Sequence, residues 1–300
     1  MNSNSRKYAI ALGYFDGLHL AHMSVINKAV GYAADGLIPA VLLFDKHPSE
    51  VLSGKKVPQL LQNEKRDELL REKGILPIYI GFNNIKDMSP EEFVKEILVR
   101  KLNAGAVICG YNYHFGKNSA GDASLLGELS EKYNIRLTVC PPFSLNGEEV
   151  SSTKIRKAVA NGDIEKANAM LGFPFMFSSE IFTGDRRGRL LGAPTINQYL
   201  PEGLTVPRFG VYASEVFFEG RKYTGVTNIG SRPTFDGGSF RSETYIIGFC
   251  GDLYGKNVEV HLHAFIRPER KFPDADTLKK QISEDVKTAE KIFLKKNKKN

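Results

Sequence analysis

Three hundred residues, 42% hydrophobic, 10% aromatic and 25% charged, match an ordinary globular chain with room for two domains. No apolar run of about eighteen residues occurs, and no basic region leads into an apolar stretch at the polar start, so neither a spanning helix nor a signal peptide is expected and the chain is read as cytoplasmic. Of the formal charge of +7, six lysines (Lys287, Lys291, Lys295, Lys296, Lys298, Lys299) against Glu290 place +5 in the last fourteen residues, a solvated helix end; nucleic acid is not expected as a partner.

The first strand is KYAIALG, and the run Gly13-Tyr14-Phe15-Asp16-Gly17-Leu18-His19-Leu20-Ala21-His22 lies where it must turn into a helix. Gly13 and Gly17 permit a tight turn. His19 and His22, three apart, share one face of the first helical turn, where free amides and the macrodipole favour an anion. The segment reads as a phosphate-binding loop of an ATP-using nucleotidyltransferase. A plain turn with two surface histidines fits the same residues, as does a zinc pair, although no further ligand cluster accompanies it. LIPAVLLF, ILPIYIGF, AGAVICG and IRLTVC follow as strands, each mostly apolar without strict alternation. Strands buried on both faces, with helices between them, predict a doubly wound α/β domain with a parallel sheet. Ser89-Pro90-Glu91-Glu92 starts one helix, with Phe93, Ile97 and Leu98 on one side. After the fourth strand, the aromatic rings of Gly110 to Lys117 beside a glycine turn suit a flat ring system.

Ser151-Ser152-Thr153-Lys154-Ile155-Arg156 predicts a hydroxyl-capped helix whose first turn carries cations where carboxylates are preferred, a mismatch that a polyphosphate reverses; a plain cap with solvated cations fits as well. From about Phe177 strands follow one another without helices, predicting a small antiparallel barrel. GDRRGRLLGAPTIN, with Gly184 and Gly188, is not a Walker loop, yet it offers a cradle for phosphates, and Thr195 and Asn197 are hard oxygen ligands for magnesium alongside ATP. Read otherwise, it is an exposed basic loop before a strand. Two runs flank a Glu219-Gly220 turn, and two more flank Gly251 to Gly255. Leu278, Ile282, Val286, Ala289 and Phe293 make an amphipathic helix from Asp274 to about Leu294 that packs on the barrel. Cys109, Cys140 and Cys250 are widely separated and are expected to be buried and inert.

In this order, GYFDGLHLAH, LLFDKHP, CGYNYHFGKNSAGD and SSTKIR, then GDRRGRLLGAPTIN, GVYA, NIGSRPTF, SETYIIGF and DLYGKNVEV, resemble the bacterial bifunctional riboflavin kinase and FAD synthetase family over nearly the whole chain. The resemblance implies a Rossmann-like FMN adenylyltransferase domain over residues 1–178 and an antiparallel β-barrel riboflavin kinase domain with a C-terminal helix over 179–300. Both use ATP and Mg2+ as they turn riboflavin into FMN and FMN into FAD. It implies that His19 and His22 hold the triphosphate, with Ser152, Thr153 and Arg156 completing the grip, and that Gly13, Phe15, Asp16 and Gly17 form the loop. Asn112 and Phe115 would line the nucleotide and flavin site, Thr195 and Asn197 would hold metal and nucleotide, and Glu243 would be the kinase's general base. Ala21, Tyr113, Thr183 and Gly248 depart from the usual glycine, phenylalanine, histidine and aspartate. A copy retaining one activity, and a flavin-nucleotide-binding regulator, remain alternatives. The expected partners are small-molecule substrates, with no membrane and with a monomer or weak homo-oligomer as the assembly.

Overall fold

The computed structural model of the protein describes residues 6–183, 195–232 and 239–297. Contacts between Cα atoms divide the chain into two units, Met1–Val57 with Asn63–Ser151, and Pro58–Gln62 with Ser152–Asn300.

In the first unit, β1 (Tyr8–Leu12), β2 (Ile38–Phe44), β3 (Leu76–Ile80), β4 (Ala104–Gly110) and β5 (Arg136–Cys140) form one parallel sheet in the order β3-β2-β1-β4-β5. The central strands lack an alternating pattern because both faces are covered. Ile10, Leu12, Leu42, Val107 and Cys109 bury one face, while Ala9, Ala11, Val41, Leu43, Ala106 and Ile108 bury the other. The edge strands β3 and β5 leave Leu76, Tyr79 and Val139 exposed. The helices are α1 (Leu20–Gly31), α2 (Pro48–Ser53), α3 (Asn63–Glu72), α4 (Pro90–Glu92) and α5 (Ala123–Lys132). A full capping box starts α4. The Ser89 side chain accepts from the Glu92 amide, and the Glu92 carboxylate accepts from the Ser89 amide at 2.7 Å. Beyond it the chain widens into a π-helix over Phe93–Lys101, which no local feature explains; Phe93, Val94, Ile97 and Leu98 still face the core. A small hairpin of β6 (Ser144–Leu145) and β7 (Glu148–Glu149) ends this unit.

The second unit takes in Pro58–Gln62, α6 (Ser152–Asn161) and α7 (Ile164–Leu171). Six strands then close a barrel: β8 (Phe175–Phe182), β9 (Thr195–Tyr199), β10 (Gly210–Phe218), β11 (Arg221–Arg232), β12 (Ser239–Ile246) and β13 (Asn257–Arg267), in the order β10-β11-β12-β9-β8-β13. Glu219 and Gly220 both lie at positive φ, 49° and 70°, which matches the strand twist and closes the β10–β11 hairpin as expected. The runs flanking Gly251 to Gly255 are both strands, but they are not neighbours: β12 pairs with β9, and β13 with β8 and β10. Six strands enclose little space, so the interior takes small polar side chains. Ser214, Thr227 and Thr244 are fully buried and linked hydroxyl to hydroxyl at 2.7 and 2.9 Å. Cys109 and Cys140 are buried, and burial pushes the Cys109 thiol up to about 11. Cys250 corrects the expectation of three buried thiols; it is exposed, just past the end of β12.

The last helix, α8 (Ala275–Asn297), buries Ala289 and Phe293 against Val211, Ala213, Val226 and Ala264 on the barrel's outer face. Its inner face also carries Asp285, which is buried. Arg267 of β13 donates to it from Nε at 3.0 Å and from Nη2 at 2.8 Å, and Gln281 Nε2 donates to it at 2.7 Å. Removing the carboxylate leaves a shielded guanidinium without its counter-charge, so Asp285→Ala is expected to destabilise this unit by about 3 kcal/mol. Denaturant unfolding followed by a barrel-specific probe measures it.

Candidate functional site

Strand order reverses between β1 and β4, and ligands in open α/β sheets bind at the carboxyl ends of strands beside such a point. The loop leaving β1 holds Phe15 at φ 49°, Gly17 at 79° and Leu18 at 43°. Two non-glycine residues in the left-handed region within four positions cost on the order of 1–3 kcal/mol each, and they persist only where packing over-determines them. Here it does: Phe15, Asp16, Gly17, Leu18 and His19 are all buried. The turn delivers His19 to the N-cap of α1, where its Nδ1 accepts the His22 amide at 3.2 Å. With Nδ1 accepting, the proton of a neutral His19 ring is on Nε2. The His19 and His22 rings stack with centroids 3.5 Å apart, and Phe15 meets the His22 ring edge-on at 5.3 Å. A Cβ at Gly13 would press on the Phe15 ring at 3.0 Å. The structure therefore brings Gly13, Phe15, Asp16, Gly17, His19 and His22 into one assembly, with Ala21 partly buried between the histidines.

At the end of β4, Asn112 is exposed, whereas Phe115 is buried, stacked with Tyr113 at 5.7 Å and tilted against Phe93 at 5.6 Å. Phe115 is thus first a core residue. Burial pushes the Tyr113 hydroxyl far above its ordinary range, which keeps it neutral. Ser152, Thr153 and Arg156 lie in the first turns of α6, in the second unit, and Arg156 Nε donates to the Pro58 carbonyl at 2.7 Å.

On the barrel, paired residues of neighbouring strands share a face. Ser242 and Thr244 point inward, so Glu243 stands on the outer face, exposed, directly across from Asn197 of β9 and Asn228 of β11. Phe182 of β8 is the other partner of Asn197, and Thr195 shares its face two residues away. Thr195, Asn197 and Glu243, separated by up to 48 positions in sequence, thus form one patch. Beside it Arg241 lies over Phe182 and Tyr199, 5.1 and 4.8 Å from the ring centroids, with Nη2 donating to the Tyr199 hydroxyl at 2.9 Å. A cavity lined by Thr195, Ile181, Ile196, Phe249, Leu253 and Tyr254 adjoins the patch. Gly184 and Gly188 lie outside the described residues. Sequence reasoning gave no role to Asn228 or Arg241. Only the strand pairing that places Asn228 and Arg241 beside Glu243 and Asn197 could have singled them out.

Among the described residues no cluster of three or more His, Cys, Asp or Glu is placed to hold a metal, and no helix is long and apolar enough to cross a membrane. The FAD synthetase family model matches residues 1–154 and the riboflavin kinase model residues 171–293. The bifunctional riboflavin kinase/FMN adenylyltransferase of Listeria monocytogenes is 35% identical, over 95% of this chain and 92% of its own. That of Bacillus subtilis is 34% identical, over 96% and 93%. A crystal structure from Streptococcus pneumoniae, of a protein named for macrolide efflux, matches with a TM-score of 0.88 and 28% identity, over 96% of this chain and 95% of that one. Both family models and the full-length relatives lead to one conclusion: the chain belongs to the bifunctional riboflavin kinase and FMN adenylyltransferase family.

Proposed function

We propose that the chain phosphorylates riboflavin at the barrel and adenylylates FMN at the α/β unit, each time with ATP. The observation that carries the reading is the patch of Thr195, Asn197 and Glu243, a carboxylate set directly across from Asn197 and diagonal to Thr195. Riboflavin offers a neutral 5′-hydroxyl, and its attack on the γ-phosphorus is helped by a carboxylate that accepts its proton; Glu243 is that group. The donor set fits magnesium: Thr195 and Asn197 would hold the ion through their side-chain oxygens beside bound ATP. Bound there, the ion would offset charge on the phosphates. In adenylyl transfer the FMN phosphate is already anionic, so the other site needs position and positive charge rather than a strong base. His19 and His22 hold the triphosphate, and Gly13, Phe15, Asp16 and Gly17 shape the loop.

Ser152, Thr153 and Arg156 are assigned to triphosphate binding, Asn112 and the rim of Phe115 to the nucleotide and flavin rings, and Gly184 and Gly188 to the kinase's phosphates. The functional boundary is kept at 178/179, so that α6 and α7 serve the adenylyltransferase. We assign the protein to the cytoplasm, as a monomer or weak homo-oligomer without nucleic acid.

Incubation with riboflavin, ATP and magnesium is expected to give FMN and then FAD, read by chromatography. FMN as the final product, also when FMN is supplied, removes the adenylyltransferase; FAD from FMN but none from riboflavin removes the kinase.

A further inference from the structure

Glu269 follows β13 through Pro268 and reaches back over β11. Its Oε1 accepts from Asn228 Nδ2 at 3.1 Å, and a Cβ built on Gly230 would overlap the same carboxylate. Gly230 therefore leaves the space in which Glu269 sits. The segment that carries it is anchored, since Arg267 is clamped by Asp285 and its Nη1 donates to the Pro268 carbonyl at 3.1 Å. Asn228 in turn stands directly across from Glu243. Facing residues of an antiparallel pair have Cβ atoms about 4.5–5.5 Å apart, so one substrate can meet both the Glu243 carboxylate and the Asn228 amide. A carboxylate only accepts, so Glu269 takes the Nδ2 side and leaves Oδ1 and the second N–H of Asn228 for other partners.

We propose that Asn228 binds a hydroxyl of the flavin's ribityl chain through Oδ1, and that Glu269 is the positioning residue that holds the amide in the orientation this requires. The inference rests on the reading of Glu243 as the acceptor of the riboflavin 5′-proton. Without Glu269 nothing holds the amide against the ribityl chain, and its hydrogen bond to the substrate is lost. Gly230→Ala reaches the same carboxylate from the other side.

Riboflavin phosphorylation by the full-length protein tests this, with KM determined for each substrate. Asn228→Ala and Glu269→Ala are each expected to raise KM for riboflavin about tenfold, the size of one hydrogen bond to a polar substrate group, with KM for ATP unchanged. The double variant is expected to be no worse than Asn228→Ala alone, because Glu269 acts through Asn228. Glu269→Gln, which retains an acceptor, restores KM to near the wild-type value, and Gly230→Ala reproduces Glu269→Ala. Additive losses in the double variant, a loss in Glu269→Ala that Glu269→Gln does not rescue, or wild-type KM in either single variant overturns the inference. Glu243→Gln separates the two levels. If it phosphorylates riboflavin normally, the reading of the patch fails and this inference with it; if it is inactive while Glu269→Ala is normal, only this inference fails.

Discussion

Replacing His19 with alanine is expected to lower FAD formation from FMN by about 10²–10³-fold while riboflavin phosphorylation continues at its normal rate. The size follows from what the ring does twice. Its Nδ1 caps α1 by accepting the His22 amide, and in the proposed reaction the ring is a donor to charge building on the departing pyrophosphate. Loss of a cap alone costs about 0.5–2 kcal/mol of helix stability, which a folded domain can absorb. Loss of an oriented donor in a buried loop acts on the transition state directly. His19→Asn separates the two roles, because asparagine caps well but its amide does not extend to where Nε2 stands. The Asn variant is expected to melt like wild type and to remain inactive in FAD synthesis. Recovery of FAD synthesis in His19→Asn would reduce His19 to a structural cap.

The parallel sheet was legible because strands buried on both faces read as unbroken apolar runs, and glycines at 13 and 17 with histidines at 19 and 22 marked the turn at its edge. The loop's strain was not legible. Nothing in the letters Phe15 and Leu18 announces a left-handed backbone, which arises from packing both side chains inward. In the barrel, the Glu219-Gly220 hairpin could be read because its turn is local. The position of β9 between β12 and β8 could not, because it depends on how six strands close around a narrow interior. The same limit hid the kinase patch: Asn197, Asn228 and Glu243 are neighbours only through register. Asp285 left a trace. It falls on the stripe of Ile282, Val286 and Ala289, and a carboxylate on an apolar stripe signals a buried partner, here Arg267.

Glu243→Gln is expected to reverse the His19 result: riboflavin phosphorylation falls by about 10²–10⁴-fold, and conversion of supplied FMN to FAD is unchanged. The substitution keeps the shape and the hydrogen-bonding reach of an exposed side chain while removing its capacity to take a proton, so stability is expected to stay within about 0.5 kcal/mol of wild type. A fall of that size with intact folding cannot come from packing. If Glu243 served only to bind substrate, glutamine would hold much of the affinity and the loss would appear in KM; a base predicts that it appears in kcat. Mixing the Glu243→Gln and His19→Ala proteins supplies the final discrimination. Each lacks what the other retains, so a mixture given riboflavin and ATP makes FAD through FMN released into solution. Equal loss of both activities in either folded single variant contradicts two independent sites, and no other outcome for these residues does so as directly.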